Sequence, residues 1–307
     1  VFNLREEHEI AVLEMGISGF GEMTRLAKVA RPDVCVLTNI GCAHLEQLKS
    51  REGILKAKTE MFLYMNPEGD IILNGDDDML ASVKPANHIE PVFFGLNPDL
   101  AYYADEIENL GLKGTAARFH TPDSEFRAHI SIPGAHMVYN ALAAIAVGRV
   151  MGMNDKEIRQ GIESLAPLAG RNHLIETETL TIIDDCYNAN PASMKASLDV
   201  LSKAGGRTVA ILGDMFELGP KEHEMHRETG AFAADAGIDE LICIGSLAED
   251  IARGAMEVNP EMHVHYYETK TEFLENIDPL INTNDTILVK ASHAMEFPEN
   301  VEVLKKR

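Results

Sequence analysis

Short apolar runs recur along this chain of 307 residues at spacings that leave room for a helix between them. Ile10-Ala11-Val12-Leu13-Glu14 and Val34-Cys35-Val36-Leu37-Thr38 flank a helical stretch from Glu22 to Ala30. Uninterrupted apolar runs of this length predict strands buried on both faces, and the helix between them makes a βαβ unit of a parallel sheet. Asp70-Ile71-Ile72-Leu73-Asn74 repeats the strand signal after a second helical stretch, Gly53 to Met65. From Pro91 to Ile132 the pattern changes to shorter strands, Ala117 to His120 and Glu125 to Ile132 among them, which reads as a β-rich flap on the same domain. A long helix is expected from His136 to Met151, and another from Asp155 to Ser164 behind an Asn154 cap.

Pro167-Leu168-Ala169-Gly170 reads as a hinge. Beyond it, strands are expected at Leu180 to Asp184, Arg207 to Leu212, Glu240 to Ile244 and Thr286 to Ala291, with a shorter one at His263 to Tyr266, alternating with helices. That alternation predicts a doubly wound α/β fold, whose ligands sit beyond the carboxyl ends of the strands. Two domains follow, residues 1–168 and 169–307, and the length allows about two at roughly 150 residues each. The fold class is α/β, a parallel sheet with a β-rich flap followed by a Rossmann-like domain.

Composition narrows the functional classes. No apolar run approaches the ~20 residues needed to span a bilayer. A formal charge of -22 disfavours nucleic acid as a partner, because duplex binding draws on a surplus of Lys and Arg. An anionic small molecule remains possible at a local positive site, usually with a metal ion. Cys35, Cys42, Cys186 and Cys243 are widely spaced without a CxxC pair, which suggests neither a zinc site nor a disulfide framework and points to a reducing cytoplasm. The chain opens on Val1-Phe2-Asn3 with no Met and no signal-like segment, the pattern expected of a cut inside a longer sequence.

Polar residues at strand ends are the candidates for chemistry. Glu14 ends an expected strand and is followed by Gly16, Gly19 and Gly21, so its carboxylate can hold Mg²⁺ directly or through water, or cap the next helix. The glycines form neither GxGxxG nor a Walker loop. Thr38-Asn39 leads into Gly41-Cys42-Ala43-His44-Leu45-Glu46, where His44 is either a loop residue or a partner to Glu14 on a shared metal. Lys56 and Lys58 on the next helix read first as a solvated face; a carbamylated lysine there would instead be an anionic oxygen ligand. His223-Glu224-Met225-His226 lacks the HExxH spacing and reads as a solvated, charge-laced helix face.

Taken together, Glu14-Met15-Gly16, Thr38-Asn39-Ile40-Gly41-Cys42-Ala43-His44-Leu45-Glu46 and Lys56-Ala57-Lys58-Thr59-Glu60 resemble the central domain of the Mur ligases. Pro133-Gly134-Ala135-His136 through Asn140 is similar to the family's Asn-bearing helix start, and Gly170-Arg171 to its Arg turn. Asp184-Asp185-Cys186-Tyr187-Asn188-Ala189-Asn190-Pro191 with Ser193-Met194-Lys195, and Leu212-Gly213-Asp214-Met215-Phe216-Glu217-Leu218-Gly219, resemble the member that adds D-alanyl-D-alanine. The resemblance implies a cytoplasmic enzyme of peptidoglycan synthesis that joins UDP-N-acetylmuramoyl-tripeptide to D-alanyl-D-alanine, using ATP and Mg²⁺ through an acyl phosphate. It implies Glu14, His44 and Lys58 as catalytic and Mg²⁺-holding residues, Lys58 as a carbamate. It further implies Asn140, Arg171 and Asp185 as nucleotide contacts, with Arg171 next to phosphate and Asp185 near the ribose, and Asn188 and Asn190 as substrate-placing residues. For Asn190, ahead of Pro191, local turn chemistry is the competing assignment.

Two departures qualify the match. Met137 stands where the family usually carries Asn, and the Gly-x-x-Gly-Lys-Thr/Ser phosphate loop that the family places upstream of Glu14 is not in these 307 residues, nor is its UDP-binding first domain. Other readings are a different ligase of the superfamily, of the folylpolyglutamate or cyanophycin type, and a noncatalytic binding scaffold. The Asp-Asp-Cys-Tyr-Asn-Ala-Asn-Pro stretch disfavours the former; against the latter, a phosphate loop upstream of Val1 would support the enzyme and its absence the scaffold. The 307-residue chain by itself is expected to be inactive, and measurable D-alanyl-D-alanine ligation by it would refute that.

Overall fold

The computed structural model describes residues 4–41 and 44–307. Val1-Phe2-Asn3, on which the expected cut rests, and Cys42-Ala43 of the His44 segment lie outside the described residues. The chain folds into two compact units, one of Val1–Asp105, Arg118–Phe126 and Tyr139–Ile158, the other of Glu106–Ala117, Arg127–Val138 and Arg159–Arg307.

The first half of the chain runs α1 (Glu22–Ala30), β1 (Val34–Leu37), α2 (Leu45–Leu48), α3 (Arg51–Thr59), β2 (Asp70–Asn74), β3 (Val92–Gly95), β4 (Tyr102–Asn109), β5 (Thr115–His120), β6 (Glu125–Ile130), α4 (Met137–Val150) and α5 (Asp155–Glu163). The six strands form one sheet in chain order, with β1 to β4 mutually parallel. Met23 and Ala27 of α1 and Ile54 and Ala57 of α3 pack with Leu37, Ile71 and Leu73 in one apolar cluster. Ser50 starts α3 by accepting the Gly53 N–H at 3.2 Å. Gly53 is required there, because a Cβ would lie 2.0 Å from the Leu48 carbonyl oxygen. Asn154 caps α5 as expected: its Oδ1 accepts from Glu157 N at 3.1 Å while Glu157 Oε2 accepts from Asn154 N at 2.9 Å.

The strand expected at Ile10 to Glu14 does not form. Those residues carry no regular structure, Ile10 and Val12 are 62% and 92% exposed, and β1 is an edge of the sheet. An apolar run becomes a strand only where a neighbour takes its N–H and C=O groups. Among the described residues β1 pairs with β2 alone.

The second unit contains β7 (His173–Glu176), β8 (Thr181–Asp184), α6 (Pro191–Leu201), β9 (Thr208–Gly213), α7 (Glu222–Asp235), β10 (Glu240–Ile244), α8 (Ala248–Val258), β11 (His263–Tyr267), α9 (Lys270–Asn276), β12 (Thr286–Lys290) and α10 (Pro298–Leu304). Its sheet has the order β11-β10-β9-β12-β8-β7, parallel except for β7, an antiparallel edge strand absent from the sequence reading. Val209 and Ile211 of β9 face one apolar cluster and Ala210 and Leu212 the other. Both faces are therefore covered, which is why these strands read as unbroken apolar runs. At the amino ends of the strands Arg207 bridges Asp285 at 2.7 Å and Glu240.

His226 corrects the expectation of a solvated α7 face, since it is fully buried. Its Nε2 accepts the Met215 N–H at 2.9 Å and its Nδ1 donates to the Glu222 carbonyl at 2.7 Å, which fixes the neutral Nδ1–H tautomer. Burial pulls its pKa below the ordinary histidine value, against the Glu222 carbonyl and the nearby Asp214 and Asp250. The unfolded chain therefore takes up this proton first as pH falls. The contribution to stability is whole above about pH 6.5, the unfolded value, and declines below it. The expected observations are a urea midpoint that drops from about pH 7.5 to about pH 5.5 and a ring spectrum at about pH 7.5 showing the Nδ1–H form; an Nε2–H form there would contradict the assignment. Asn300 in α10 is also fully buried, and neither of its amide atoms has a hydrogen-bond partner among the described residues. Asn300→Leu removes that desolvated amide, so urea unfolding is expected to show a gain of about 1–3 kcal/mol.

Candidate functional site

In the first unit the carboxyl ends of β1 and β2 lie side by side, with Leu37 opposite Leu73. The chain leaves them as Thr38–Gly41 and Asn74–Asp78. Asn74 donates to the Thr38 carbonyl at 3.0 Å. The Asp77 carboxylate accepts from Ile40 N at 2.7 Å, Met79 N at 3.0 Å and Leu80 N at 2.9 Å, so one side chain fixes both loops. Arg51, the first residue of α3, donates from Nε to the Ile40 carbonyl at 3.0 Å and from its guanidinium to Asp78 at 2.8 Å, holding the Asp78 carboxyl below the usual range.

Lys58 lies on α3 beneath this loop and donates to the Asn39 carbonyl at 3.1 Å. Burial draws its pKa below the ordinary lysine value, with Asp77 opposing. His44 sits at φ 61° immediately before α2, and its charge contributes, after the Ser18 and Gly19 N–H groups and Arg25, to lowering the Glu22 carboxyl. Glu14 is exposed on irregular chain. Among the described residues no three His, Cys, Asp or Glu side chains converge as a metal-binding group. Lys58 and Asn39 are thus brought together, whereas Glu14 and His44 belong to no such cluster. A carboxylate such as Glu14 still suits Mg²⁺, a hard cation that takes one or two protein oxygens and completes its shell with water and phosphate oxygens, and His44 would be the softer member of the pair. An ammonium at Lys58, hydrogen-bonded to a carbonyl, is not a ligand.

The first turn of α4 adds a contact that the sequence reading missed. Tyr139 donates to Asp76 Oδ2 at 3.1 Å, and the same oxygen accepts from Leu96 N at 2.5 Å. Asn140, next to it, is exposed.

In the second unit the order β9-β12-β8 places the ends of three strands together where the chain reverses its winding, the position at which open α/β sheets bind ligands. Gly170, at φ 76°, donates to Asp184 Oδ2 at 2.9 Å and accepts from Tyr187 N at 2.9 Å. Arg171 follows, with its guanidinium 3.8 Å from the centre of the Tyr187 ring. Asn172 N donates to Asp185 Oδ1 at 3.1 Å. The other oxygen of Asp185 accepts from Ser197 Oγ at 2.6 Å and from Lys290 Nζ at 2.5 Å. Lys290 also donates to the Asn188 carbonyl at 3.0 Å.

Asp185 and Lys290 are buried, and Tyr187 and Asn188 exposed. Asn188 Oδ1 accepts from Ala189 N at 2.9 Å. Asn190 caps α6: its Oδ1 accepts from Ser193 N at 2.9 Å and Ser193 Oγ accepts from Asn190 N at 3.0 Å, with Pro191 as the first helical residue. Lys290 and Ser197 were not singled out from the sequence. The available signal was a lone cation ending an apolar strand; for Asp76 and Asp77 it was Asn74-Gly75-Asp76-Asp77-Asp78 after a strand.

The sequence pattern of the Mur ligase middle domain matches residues 1–148, and that of the Mur ligase glutamate ligase domain residues 170–293. The chain belongs to the Mur ligase family. The Mur ligase UDP-N-acetylmuramoyl-tripeptide--D-alanyl-D-alanine ligase of Bacillus subtilis is 35% identical over 99% of this chain and 66% of its own length. The enzyme of that name from Escherichia coli is 30% identical over 100% of the chain and 67% of its own length. Among solved structures, MurF from Acinetobacter baumannii superimposes with a TM-score of 0.91 at 30% identity, covering 99% of this chain and 66% of that one. MurF from Thermotoga maritima in complex with ADP gives 0.81 at 27%, covering 94% and 65%. The chain thus spans about 66% of the length of the Mur ligases it matches.

Burial and the Asp76 carboxylate push the Tyr139 hydroxyl up to about 12. Alkaline titration followed by phenolate absorbance should show a late phase near pH 12 beside those of the other tyrosines that burial raises, Tyr102, Tyr266 and Tyr267, and Tyr139→Phe should diminish it by one group. An unchanged curve in the variant would assign the late phase elsewhere.

Proposed function

We propose that these residues are the middle and C-terminal parts of a cytoplasmic, ATP-dependent ligase that joins UDP-N-acetylmuramoyl-tripeptide to D-alanyl-D-alanine in peptidoglycan synthesis. The observation that carries the reading is the 35% identity over 99% of this chain to a D-alanyl-D-alanine-adding ligase, and the Asp184–Pro191 segment, which leaves the carboxyl end of β8 at the winding reversal and resembles that member, supports it. No helix among the described residues is long and apolar enough to cross a membrane. The domains are taken as residues 1–168 and 169–307.

In this reading ATP phosphorylates the tripeptide carboxylate to an acyl phosphate, and the dipeptide amine displaces phosphate through a tetrahedral intermediate. Negative charge grows on oxygen in both steps, so fixed donors supply most of the stabilisation. Glu14 and His44 would hold Mg²⁺, which when bound neutralises charge on the phosphate oxygens. Lys58, as an ammonium, offers a donor to phosphate; as a carbamate it would add an oxygen to the metal's ligands. Asn140, Arg171 and Asp185 serve the nucleotide. Arg171 is exposed, and stacking on Tyr187 limits the orientations of its planar donors, which suits a phosphate. Asp185 Oδ1 accepts from Asn172 N and retains a lone pair for a ribose hydroxyl. Asn188 and Asn190 shape the dipeptide or nucleotide side, the side chain of Asn190 acting through the α6 cap.

The decisive measurement is ligation by the parent protein that carries these residues, assayed with the diaminopimelate and lysine tripeptides in turn. D-alanyl-D-alanine should be incorporated with one of them, and absence of product with both would overturn the proposal. In that assay Arg171→Ala should lower kcat/KM for ATP by about 100-fold or more, the loss expected for a donor to transferring phosphate. A change within about threefold would remove Arg171 from the nucleotide set.

A further inference from the structure

The buried cation at the end of β12 has no part in the assignments above. Lys290 is 2% exposed, so its ammonium is closed to any ligand. Its side chain nevertheless holds the β8–α6 loop at two points and, through Asp185, the Gly170–Asn172 turn. Through Asp185 Oδ2 at 2.5 Å it holds the carboxylate whose other oxygen receives the Asn172 N–H, the residue after Arg171. Through the Asn188 carbonyl at 3.0 Å it ties the exposed Tyr187-Asn188 segment, and Tyr187 carries the Arg171 guanidinium on its ring. Arg171 is therefore bracketed: its backbone is set through Asp185 and its side chain through Tyr187, and both supports run to one nitrogen.

We propose that Lys290 is a positioning residue for the nucleotide site. It touches no substrate and acts by holding the Gly170–Asn172 turn and the Cys186–Asn190 loop in the arrangement that aims Arg171; this rests on the ligase reading. A residue kept only for packing would not need a charge here. An apolar side chain would fill β12 as Val289 does, whereas an ammonium is required to bind a carboxylate and a carbonyl at two points of the β8–α6 loop at once. The lysine's reach also explains why Ser197, one helical turn after Ser193 on α6, donates to the same carboxylate at 2.6 Å: three donors fix its orientation.

The test compares Lys290→Met, Lys290→Arg and the double variant Lys290→Met/Asp185→Asn in the parent protein. Thermal midpoint, KM for ATP, kcat and amide hydrogen exchange at Asn172 are read together. Lys290→Met should raise KM for ATP by about tenfold or more with a smaller change in kcat, and speed Asn172 exchange by about tenfold. Lys290→Arg should recover part of both. The double variant, which leaves no buried charge unpaired, should recover the thermal midpoint while Asn172 exchange stays fast; its KM also reflects the altered Asp185 and is read only for recovery. A KM for ATP within about twofold of the native value in Lys290→Met overturns the proposal, as does a double variant that regains KM with its midpoint. Should Lys290→Met fail to fold, the arginine and double variants decide on the same criteria. Should the native protein form no product, the ligase reading falls. The exchange measurement then stands alone: unaltered Asn172 exchange in Lys290→Arg and in the double variant overturns Lys290's hold on the turn, and accelerated exchange supports it.

Discussion

The ion pair between Lys290 and Asp185 is the point on which the second unit's loops depend. Parallel strands converge at their carboxyl ends with carbonyls and turns that the ladder leaves unsatisfied, and in this sheet β8 and β12 end next to one another. A buried charge is tolerable only when paired and hydrogen-bonded on its remaining sites. Asp185 meets that condition with Lys290, Ser197 and Asn172 N, and Lys290 with Asp185 and Asn188 O. The demand to satisfy two buried charges thereby becomes a demand on the conformation of the Arg171 turn and the Tyr187 loop.

The first unit solves the same problem with the charges closer to solvent. Asp77 gathers three backbone N–H groups from two loops, and Arg51 spans from the Ile40 carbonyl to Asp78. Here the pairing with Asp78 is exposed, so its share of the stability is small. The N–H groups accepted by Asp77, which is largely buried, matter more, because each would otherwise lack a partner. In both units a carboxylate just past a strand end, three positions beyond β2 for Asp77 and one beyond β8 for Asp185, organises backbone.

Legibility in the sequence followed burial. The strands of the second sheet are covered on both faces, and their apolar runs were read within about two residues of where they lie. β7 escaped because His173-Leu174-Ile175-Glu176 is a half-buried edge with no clear period. Ile10 to Glu14 failed for the opposite reason: an apolar run states a preference for burial, and strand pairing is a separate requirement that local sequence does not encode. His226 misled because its neighbours on α7 are charged while its own direction is inward, a distinction of about 100° per residue that a charge count ignores. The motif segments named Arg171, Asp185 and Asn188 directly. Lys290 and Ser197 could not be found that way, because their significance is a distance to a residue more than ten positions away.

The acidic balance of the chain gives the arrangement at Arg171 its physical sense. With 49 acidic against 27 basic residues, the long-range field repels an anion rather than gathering it. Recognition of a phosphate must then come from short-range, directed donors. A guanidinium is suited to this because its hydrogens lie in one plane, and the Tyr187 ring 3.8 Å from it limits how that group can move. A lysine at the same place would supply equal charge without that geometry. Lys290 shows the complementary use of a cation: as a compact ammonium with three donors it is spent inside the protein, on groups that hold the arginine rather than on the ligand. The division of labour between an exposed, stacked arginine and a buried, bridging lysine allows a strongly anionic chain to present one well-aimed positive group at the end of its sheet.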